Sequence, residues 1–339
     1  MRIGITRDFL TTQGERSLDE VAWQRLTALP GVEVEFLATP PASALTSDDV
    51  TRFDVLLTKR NPLSAQTLAT PGLRLRLVSR SGVGFDHLDV PACTSAGVIV
   101  STTPGAVARP VASAIMAMML AFSHDLLARD RATRAGRWGE RWNRAGMALT
   151  GRTLGVVGLG NIGCELLRLA APWGMRHVGY TPRFDPARHG ALGVEPVDLD
   201  TLLAQSDFVA LCCPLNAQTR GFIDARRLAL MPAHAYLINT ARGEVVDEAA
   251  LVAVLAGRRI AGAGIDVYDP EPPRPDHALF ALDNVIVGSH NLAYTDALNR
   301  DTNRSAVAAV CDFHGGARPR HVLNPDVLGH PRVASLAPQ

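Results

Sequence analysis

Three short motifs, Asn239-Thr240-Ala241-Arg242-Gly243, Gly262-Ala263-Gly264-Ile265-Asp266-Val267-Tyr268 with Glu271-Pro272 after it, and Gly288-Ser289-His290, carry residue types able to do chemistry. Each lies at or just after a β-rich run, and open α/β sheets hold their ligands at strand ends. Arginine, glutamate and histidine at successive strand ends can converge on one crevice, where they can bind an anion, orient a ring and move a proton. Upstream, Gly158-Leu159-Gly160-Asn161-Ile162-Gly163 separates a strand, Thr153–Val157, from a helical stretch, Ile162–Ala171. Glycines at this spacing allow a tight turn, close approach of backbone to a pyrophosphate and close helix–sheet contact, which points to a nicotinamide dinucleotide held by Gly158, Gly160, Asn161, Ile162 and Gly163.

An acidic residue ending the next strand would accept the ribose hydroxyls of NAD and repel a 2′-phosphate. Here that strand runs into Thr181-Pro182-Arg183. Thr181 removes the repulsion and Arg183 can pair with a 2′-phosphate, so the local chemistry favours NADP or dual use. The alternative is a solvated Arg183 with NAD bound through other contacts.

These motifs need a scaffold, and the chain supplies two α/β rhythms. Arg2–Thr6, Val32–Ala38, Val55–Thr58, Leu75–Ser79 and Val98–Val100 are β-rich runs with helix-length segments between them. A long Ala/Met/Leu-rich helix over Val107–Leu127 then crosses to a second domain. There six strands are expected at Thr153–Val157, Arg176–Tyr180, Phe208–Cys212, Ala235–Asn239, Gly262–Ile265 and Val285–Val287. A helix over Asp296–Phe313 and a Pro-rich tail return to the first domain. The expected fold is α/β, two Rossmann-like doubly wound parallel-sheet domains with an active-site cleft between them. Residues 1–102 with 294–339 form the substrate domain and 103–293 the dinucleotide domain.

A length of 339 residues suits two domains, and 47% hydrophobic with 20% charged residues is ordinary globular usage. A net charge of +1 provides no field for a phosphate polymer, so nucleic acid is not an expected partner. Met1–Leu10 lacks the apolar run of a signal peptide, and the longest apolar stretch, Val111–Phe122, is shorter than a membrane span, so a cytoplasmic protein without a membrane partner is expected. Five cysteines without a C-x-x-C pair encode neither a disulfide framework nor a zinc site, and read as reduced, mostly buried thiols. No metal is implied.

With Ser81-Gly82-Val83-Gly84-Phe85-Asp86 before the glycine loop and Val322-Leu323-Asn324-Pro325 near the end, the ordered motifs resemble the D-2-hydroxyacid dehydrogenase family over nearly the whole length. The resemblance implies a two-domain enzyme moving hydride between NAD(P) and a small 2-keto or 2-hydroxy acid. In it His290 is the general acid–base. Glu271 hydrogen-bonds His290, orienting the ring and favouring its charged form. Arg242 binds the substrate carboxylate and carbonyl, Asp266 anchors the nicotinamide carboxamide, and Thr240 and Ala241 join the cofactor set. Cys213 and Pro214 pass over the adenine side, and Ser81, Gly82, Val83 and Gly84 offer backbone N–H groups to the substrate carboxylate. A homodimer is implied, with the Met-rich helix Val111–Phe122, Trp138 and Trp142 supplying the surface; the same helix can equally be an intradomain core helix.

Two departures separate this chain from its relatives. Leu292 and Tyr294 replace small residues after His290, and Ser113 stands where a glutamate is habitual. Glu271 argues against formate oxidation, where the partner is glutamine, while phosphite dehydrogenase and the nucleotide-sensing corepressors remain as alternatives. Lys59 and Arg60, after a strand, can meet a second anionic group or be a solvated basic pair.

Overall fold

In the computed structural model, residues 1–143 and 145–337 are described. The chain divides into two compact units, Met1–Val107 with Thr295–Gln339 (unit 1) and Ala108–Tyr294 (unit 2). These breaks lie a few residues beyond the expected 102/103 and 293/294.

Unit 1 is a five-stranded parallel sheet of β1 (Arg2–Ile5), β2 (Glu33–Phe36), β3 (Val55–Thr58), β4 (Leu77–Arg80) and β5 (Ile99–Ser101), ordered β2-β1-β3-β4-β5. Successive side chains of a strand point to opposite faces. Accordingly Ile5, Leu57 and Leu77 pack on one face with Ala306, Val307 and Val310 of the helix Asp296–His314, while Leu56, Val78 and Val100 pack on the other with Val50, Leu63 and Cys93. Both faces are covered, which is why these strands read as continuous apolar runs rather than alternating ones. The C-terminal segment is sewn to β5 by Asn324, whose Oδ1 accepts the Val100 N–H (2.9 Å) and whose Nδ2 donates to the Val98 carbonyl (3.0 Å). Strand order reverses between β1 and β3, the point where such sheets open a crevice at their carboxyl ends.

Unit 2 has seven parallel strands, one more than expected. They are β6 (Thr153–Val157), β7 (Arg176–Tyr180), β8 (Val194–Pro196), β9 (Phe208–Leu211), β10 (Tyr236–Asn239), β11 (Gly262–Ile265) and β12 (Val285–Val287). Their order, β12-β11-β10-β9-β6-β7-β8, is the dinucleotide-fold order with a strand added at one edge, and its switch point lies between β6 and β9. The unexpected β8 is a three-residue edge strand ending in proline, a residue tolerated at a sheet edge because its missing N–H faces no ladder.

The crossing helix also differs from expectation. It runs Pro104–Ser123, breaks at Asp125 (φ +51°), and a separate helix follows over Leu126–Arg134. By length and composition Pro104–Ser123 is apolar enough to cross a membrane, a correction to the shorter stretch read from sequence. Its Ala112, Ile115, Met116, Met118 and Met119 are nevertheless buried with Val156, Phe208, Ala210 and Ile238 of the unit 2 sheet. Leu126–Arg134 has no buried residue, and Trp138 and Trp142 beyond it are 64% and 82% exposed. Of the five free thiols Cys93 and Cys164 are buried and the other three half-buried, fewer than expected. Burial pushes the Cys93 thiol up to about 12 and that of Cys213 up to about 11, which leaves them poor nucleophiles.

Candidate active site

The glycine loop joins β6 to the helix Asn161–Ala170 at the switch point of the unit 2 sheet. Gly158 adopts φ +101°, and a Cβ there would lie 2.7 Å from the Cys213 nitrogen, so only glycine lets this turn pass against the chain leaving β9. A Cβ on Gly163 would lie 2.2 Å from the Gly158 carbonyl oxygen, which is the close helix–turn contact of a dinucleotide loop. A Cβ on Gly160, by contrast, would meet nothing within 4 Å, leaving the start of the helix open to a pyrophosphate. The buried Thr240 Oγ1 has no partner among the described residues, a further polar atom available at the end of β10. This donor set fits a nicotinamide dinucleotide.

After β7, Thr181 is half-buried and Arg183 exposed. Buried His189 pins this segment to the glycine loop: its Nδ1 accepts the Asp185 N–H (3.1 Å), so its Nε2 donates to the Leu159 carbonyl (3.1 Å). Arg188 donates to the Asn161 side chain (2.9 Å). Sequence reading missed Arg188; the signal was a second arginine in the same loop, on the helical turn Pro186–His189.

The polar motifs meet at the ends of β10, β11 and β12. His290 sits at φ +57°, with its N–H on the Asp266 carbonyl (2.8 Å). Its Nδ1 lies 2.9 Å from both carboxylate oxygens of Glu271, to which it donates, and its Nε2 has no partner among the described residues. The Asp266 carboxylate accepts the N–H groups of Asn291 (3.2 Å) and Leu292 (3.3 Å), clamping the segment that follows His290. Burial raises the Asp266 carboxyl above its usual range, opposed by those backbone hydrogen bonds. Asn239 shapes the next turn, accepting from the Ala241 N–H (3.0 Å) and donating to the Arg242 carbonyl (2.9 Å). Arg242 is half-buried, with Nη1 on the Ala241 carbonyl (2.7 Å).

The family model for the NAD binding domain of D-isomer specific 2-hydroxyacid dehydrogenases matches residues 116–291. The chain is 34% identical over 294 residues to a glyoxylate reductase of Korarchaeum cryptofilum, covering 85% of this chain and 88% of that one. It is 31% identical over 294 residues to a D-3-phosphoglycerate dehydrogenase of Archaeoglobus fulgidus, covering 87% of this chain and 55% of that longer one. The D-lactate dehydrogenase of Aquifex aeolicus, solved with NAD and lactic acid, superposes with a TM-score of 0.80 at 26% identity, over 93% of this chain and 96% of that one. The chain belongs to the D-isomer specific 2-hydroxyacid dehydrogenase family. It is an oxidoreductase acting on the CH–OH group of 2-hydroxy acids, with a nicotinamide dinucleotide cofactor.

In this dehydrogenase Tyr268, a residue of the second motif to which sequence assigned no role, ties the three motif loops together. Its hydroxyl donates to the Gly288 carbonyl (2.7 Å), and its main chain packs against Gly243, where a Cβ would lie 2.1 Å from the Tyr268 carbonyl carbon. The ring meets His277 edge-on at 5.7 Å, and His277 Nε2 donates to Glu248 (2.7 Å). Nothing in the spacing of these residues announces the pairing of Glu248 with His277, which joins the first turn of one helix to a loop 29 positions later.

Unit 1 of the dehydrogenase carries the Ser81–Gly84 loop just after β4, and only half of it is open. The Ser81 N–H is spent on the Thr58 carbonyl (2.9 Å) and the Gly82 N–H on Thr103 Oγ1 (2.8 Å). The Val83 and Gly84 N–H groups have no partner among the described residues, so the expected four-donor nest narrows to two donors. Ser81 Oγ donates to Asn303, a buried residue of the returning helix.

Proposed function

We propose that this dehydrogenase reduces a 2-keto acid with His290 as the proton donor, and the observation that carries the reading is the Glu271–His290 contact with Nε2 left open. Glu271 holds the ring through Nδ1, so the proton available for transfer is the one on Nε2. Arg242 pairs with the substrate carboxylate through its planar fork and stabilises negative charge developing on the keto oxygen. The Val83 and Gly84 N–H groups of unit 1 are two open donors for an anion. When bound, the nicotinamide supplies the hydride that adds to the carbonyl carbon. His290 passes its Nε2 proton to the oxygen, giving the 2-hydroxy acid, and retrieves it in the reverse direction. Asp266 keeps His290 in place through the Asn291 and Leu292 N–H groups and has acceptor capacity left for a carboxamide.

NADPH is the preferred reductant in this reading. Two exposed arginines, Arg183 and Arg188, stand on a loop pinned to the glycine loop, and no carboxylate ends β7 to repel a 2′-phosphate. The exposed Trp138 and Trp142, with the uncovered helix Leu126–Arg134, support a homodimer formed through this segment. The test is oxidation of NADPH and of NADH by the purified protein with glyoxylate, hydroxypyruvate, pyruvate and phosphohydroxypyruvate. Turnover with NADPH favoured, and Arg183→Ala lowering that preference about tenfold, is the expected outcome. An NADH preference would retain the reductase and remove the role given to Arg183, and a monomer in sedimentation would remove the dimer.

A further inference from the structure

His290, the proton donor of the proposed reduction, stands in an unfavourable backbone conformation. Its φ of +57° lies in the left-handed region, which a residue with a Cβ keeps only where its surroundings impose it. Two main-chain hydrogen bonds fix one side of the turn, the Gly288 N–H on the Ile265 carbonyl (2.7 Å) and the His290 N–H on the Asp266 carbonyl (2.8 Å). The Asp266 carboxylate holds the residues that follow, Asn291 and Leu292. On the preceding side a single side chain among the described residues holds the backbone: the Tyr268 hydroxyl donates to the Gly288 carbonyl (2.7 Å).

Tyr268 is itself fixed. It is buried just beyond β11, and its ring is walled edge-on by His277 (centroids 5.7 Å apart) and Phe280 (5.8 Å). His277 is locked at both ring nitrogens. Nδ1 accepts the Leu279 N–H (3.3 Å) and caps the helical turn Ala278–Ala281, so the ring proton sits on Nε2 and is donated to Glu248 (2.7 Å). Glu248 opens the helix Glu248–Ala256, where the free N–H groups of a first turn favour a carboxylate. The wall behind Tyr268 therefore rests on a helix and not on a loop. Burial, with the charges of Asp266, Glu271 and Glu248 adding to it, pushes the Tyr268 hydroxyl up to about 12, so it remains a neutral donor wherever the enzyme works.

The hold on Gly288 reaches the proton donor through one residue, Ser289. A displaced Gly288 carbonyl turns the backbone that aims the His290 side chain, and hydrogen bonds weaken steeply with misalignment. The His290 Nδ1 lies 2.9 Å from both Glu271 oxygens, a contact that depends on one setting of the ring.

We propose that Tyr268 is a positioning residue for proton transfer: its hydroxyl, aimed by the Glu248–His277 pair, holds the Gly288 carbonyl and with it the left-handed turn that presents His290. This role rests on His290 as the proton donor, but the hold itself can be read without turnover. Tyr268→Phe keeps the ring and removes the one hydrogen bond. Hydrogen exchange followed by mass spectrometry on the full-length protein is expected to show the amides of residues 288–292 exchanging about tenfold faster in the variant, with the rest of unit 2 unchanged. In turnover, with whichever keto acid the wild type reduces, kcat falls about tenfold, equivalent to about 1.4 kcal/mol and the size of one net hydrogen bond. KM and the cofactor dissociation constant stay within about twofold, and the solvent deuterium isotope effect on kcat rises because the proton step has slowed. Glu248→Ala gives the same pattern at smaller amplitude and adds nothing in the Tyr268→Phe background, while Glu248→Gln, whose amide oxygen still accepts from His277, retains wild-type kcat. Unchanged exchange or unchanged kcat in Tyr268→Phe, a loss carried by KM or by cofactor binding, or fast exchange spread over the whole of unit 2 overturns the proposal. Where Tyr268→Phe does not fold, equal kcat in Glu248→Ala and Glu248→Gln overturns it, and a lower value in Glu248→Ala alone, with KM unchanged, supports it. Faster exchange confined to residues 288–292, in a protein that reduces no keto acid, keeps the hold and overturns the reductase reading instead.

Discussion

At the end of β12, His290 is held from both sides, its Nδ1 on Glu271 and its N–H on the Asp266 carbonyl, while at the end of β3 Lys59 faces a ring and a carboxylate that belongs to Arg60. Both residues sit at the carboxyl edge of a parallel sheet with reversed strand order, so topology alone does not separate them. What separates them is how far the protein has satisfied their polar atoms. A proton donor, the role proposed for His290, must be presented in one orientation every time, and unit 2 spends Asp266, Glu271 and Tyr268 on holding that loop. Unit 1, by contrast, leaves three donors open on Lys59 and two on the Val83 and Gly84 amides. In the proposed reading, preorganisation serves the chemical step.

The strongest way to break this contrast is at His290. His290→Ala is expected to lower kcat/KM by about 10³, within the range for losing a general acid. The dissociation constant for the nicotinamide cofactor, measured by fluorescence quenching, stays within about twofold. Loss of cofactor binding in a folded variant would mean that His290 organises unit 2 as a whole and is not a separable proton donor.

How much of this was readable beforehand follows from the range of each interaction. β6, β7, β11 and β12 were readable to the residue, because each ends abruptly at a glycine or polar residue, Gly158, Thr181, Asp266 or Gly288. The glycine loop was readable too, Gly163 answering a contact five residues back and Gly158 one across a neighbouring strand. β8 was not, since Val194-Glu195-Pro196 has neither length nor alternation and exists because β7 offers it an edge. The break at Asp125 was hidden in a composition that stays helical on both sides. The site residues could be named from motifs, but not their state. That the Gly82 amide is consumed depends on Thr103, 21 positions away, and that Lys59 stands over Phe9 depends on a turn 50 positions earlier. Residue type suggests which groups can react, and only the folded neighbourhood decides which remain open.

A smaller effect tests the rigidity of unit 2. In Gly243→Ala the new Cβ would lie 2.1 and 2.2 Å from the Tyr268 carbonyl carbon and oxygen, backbone atoms that cannot swing aside as a side chain can. The turn carrying Arg242 and the segment leading to Glu271 must therefore separate. A loss of about 1–3 kcal/mol in stability is expected, the usual cost of overpacking, with kcat falling alongside. Wild-type kcat in this variant would show that the two loops tolerate displacement and that the hold on the site is looser than its hydrogen bonds imply.

The smallest effect sharpens the other side of the contrast, because an open, partly buried donor should lower stability. The Lys59 ammonium titrates at about 8 in the folded protein against about 10.5 in an unfolded chain, so the folded state binds the proton less tightly. Below pH 8 both states are protonated and the folded state bears the full cost of a desolvated charge. Between pH 8 and 10.5 the folded state releases the proton first, and that cost is progressively relieved. Lys59→Met, similar in length and uncharged, should therefore raise the thermal midpoint by about 2–4 °C at pH 7, corresponding to roughly 1 kcal/mol in a domain of this size. The gain should shrink as the pH is raised to 9. A midpoint that falls on substitution at every pH would mean that the ammonium over Phe9 is a structural contact, and unit 1 would then hold its polar edge as tightly as unit 2 does.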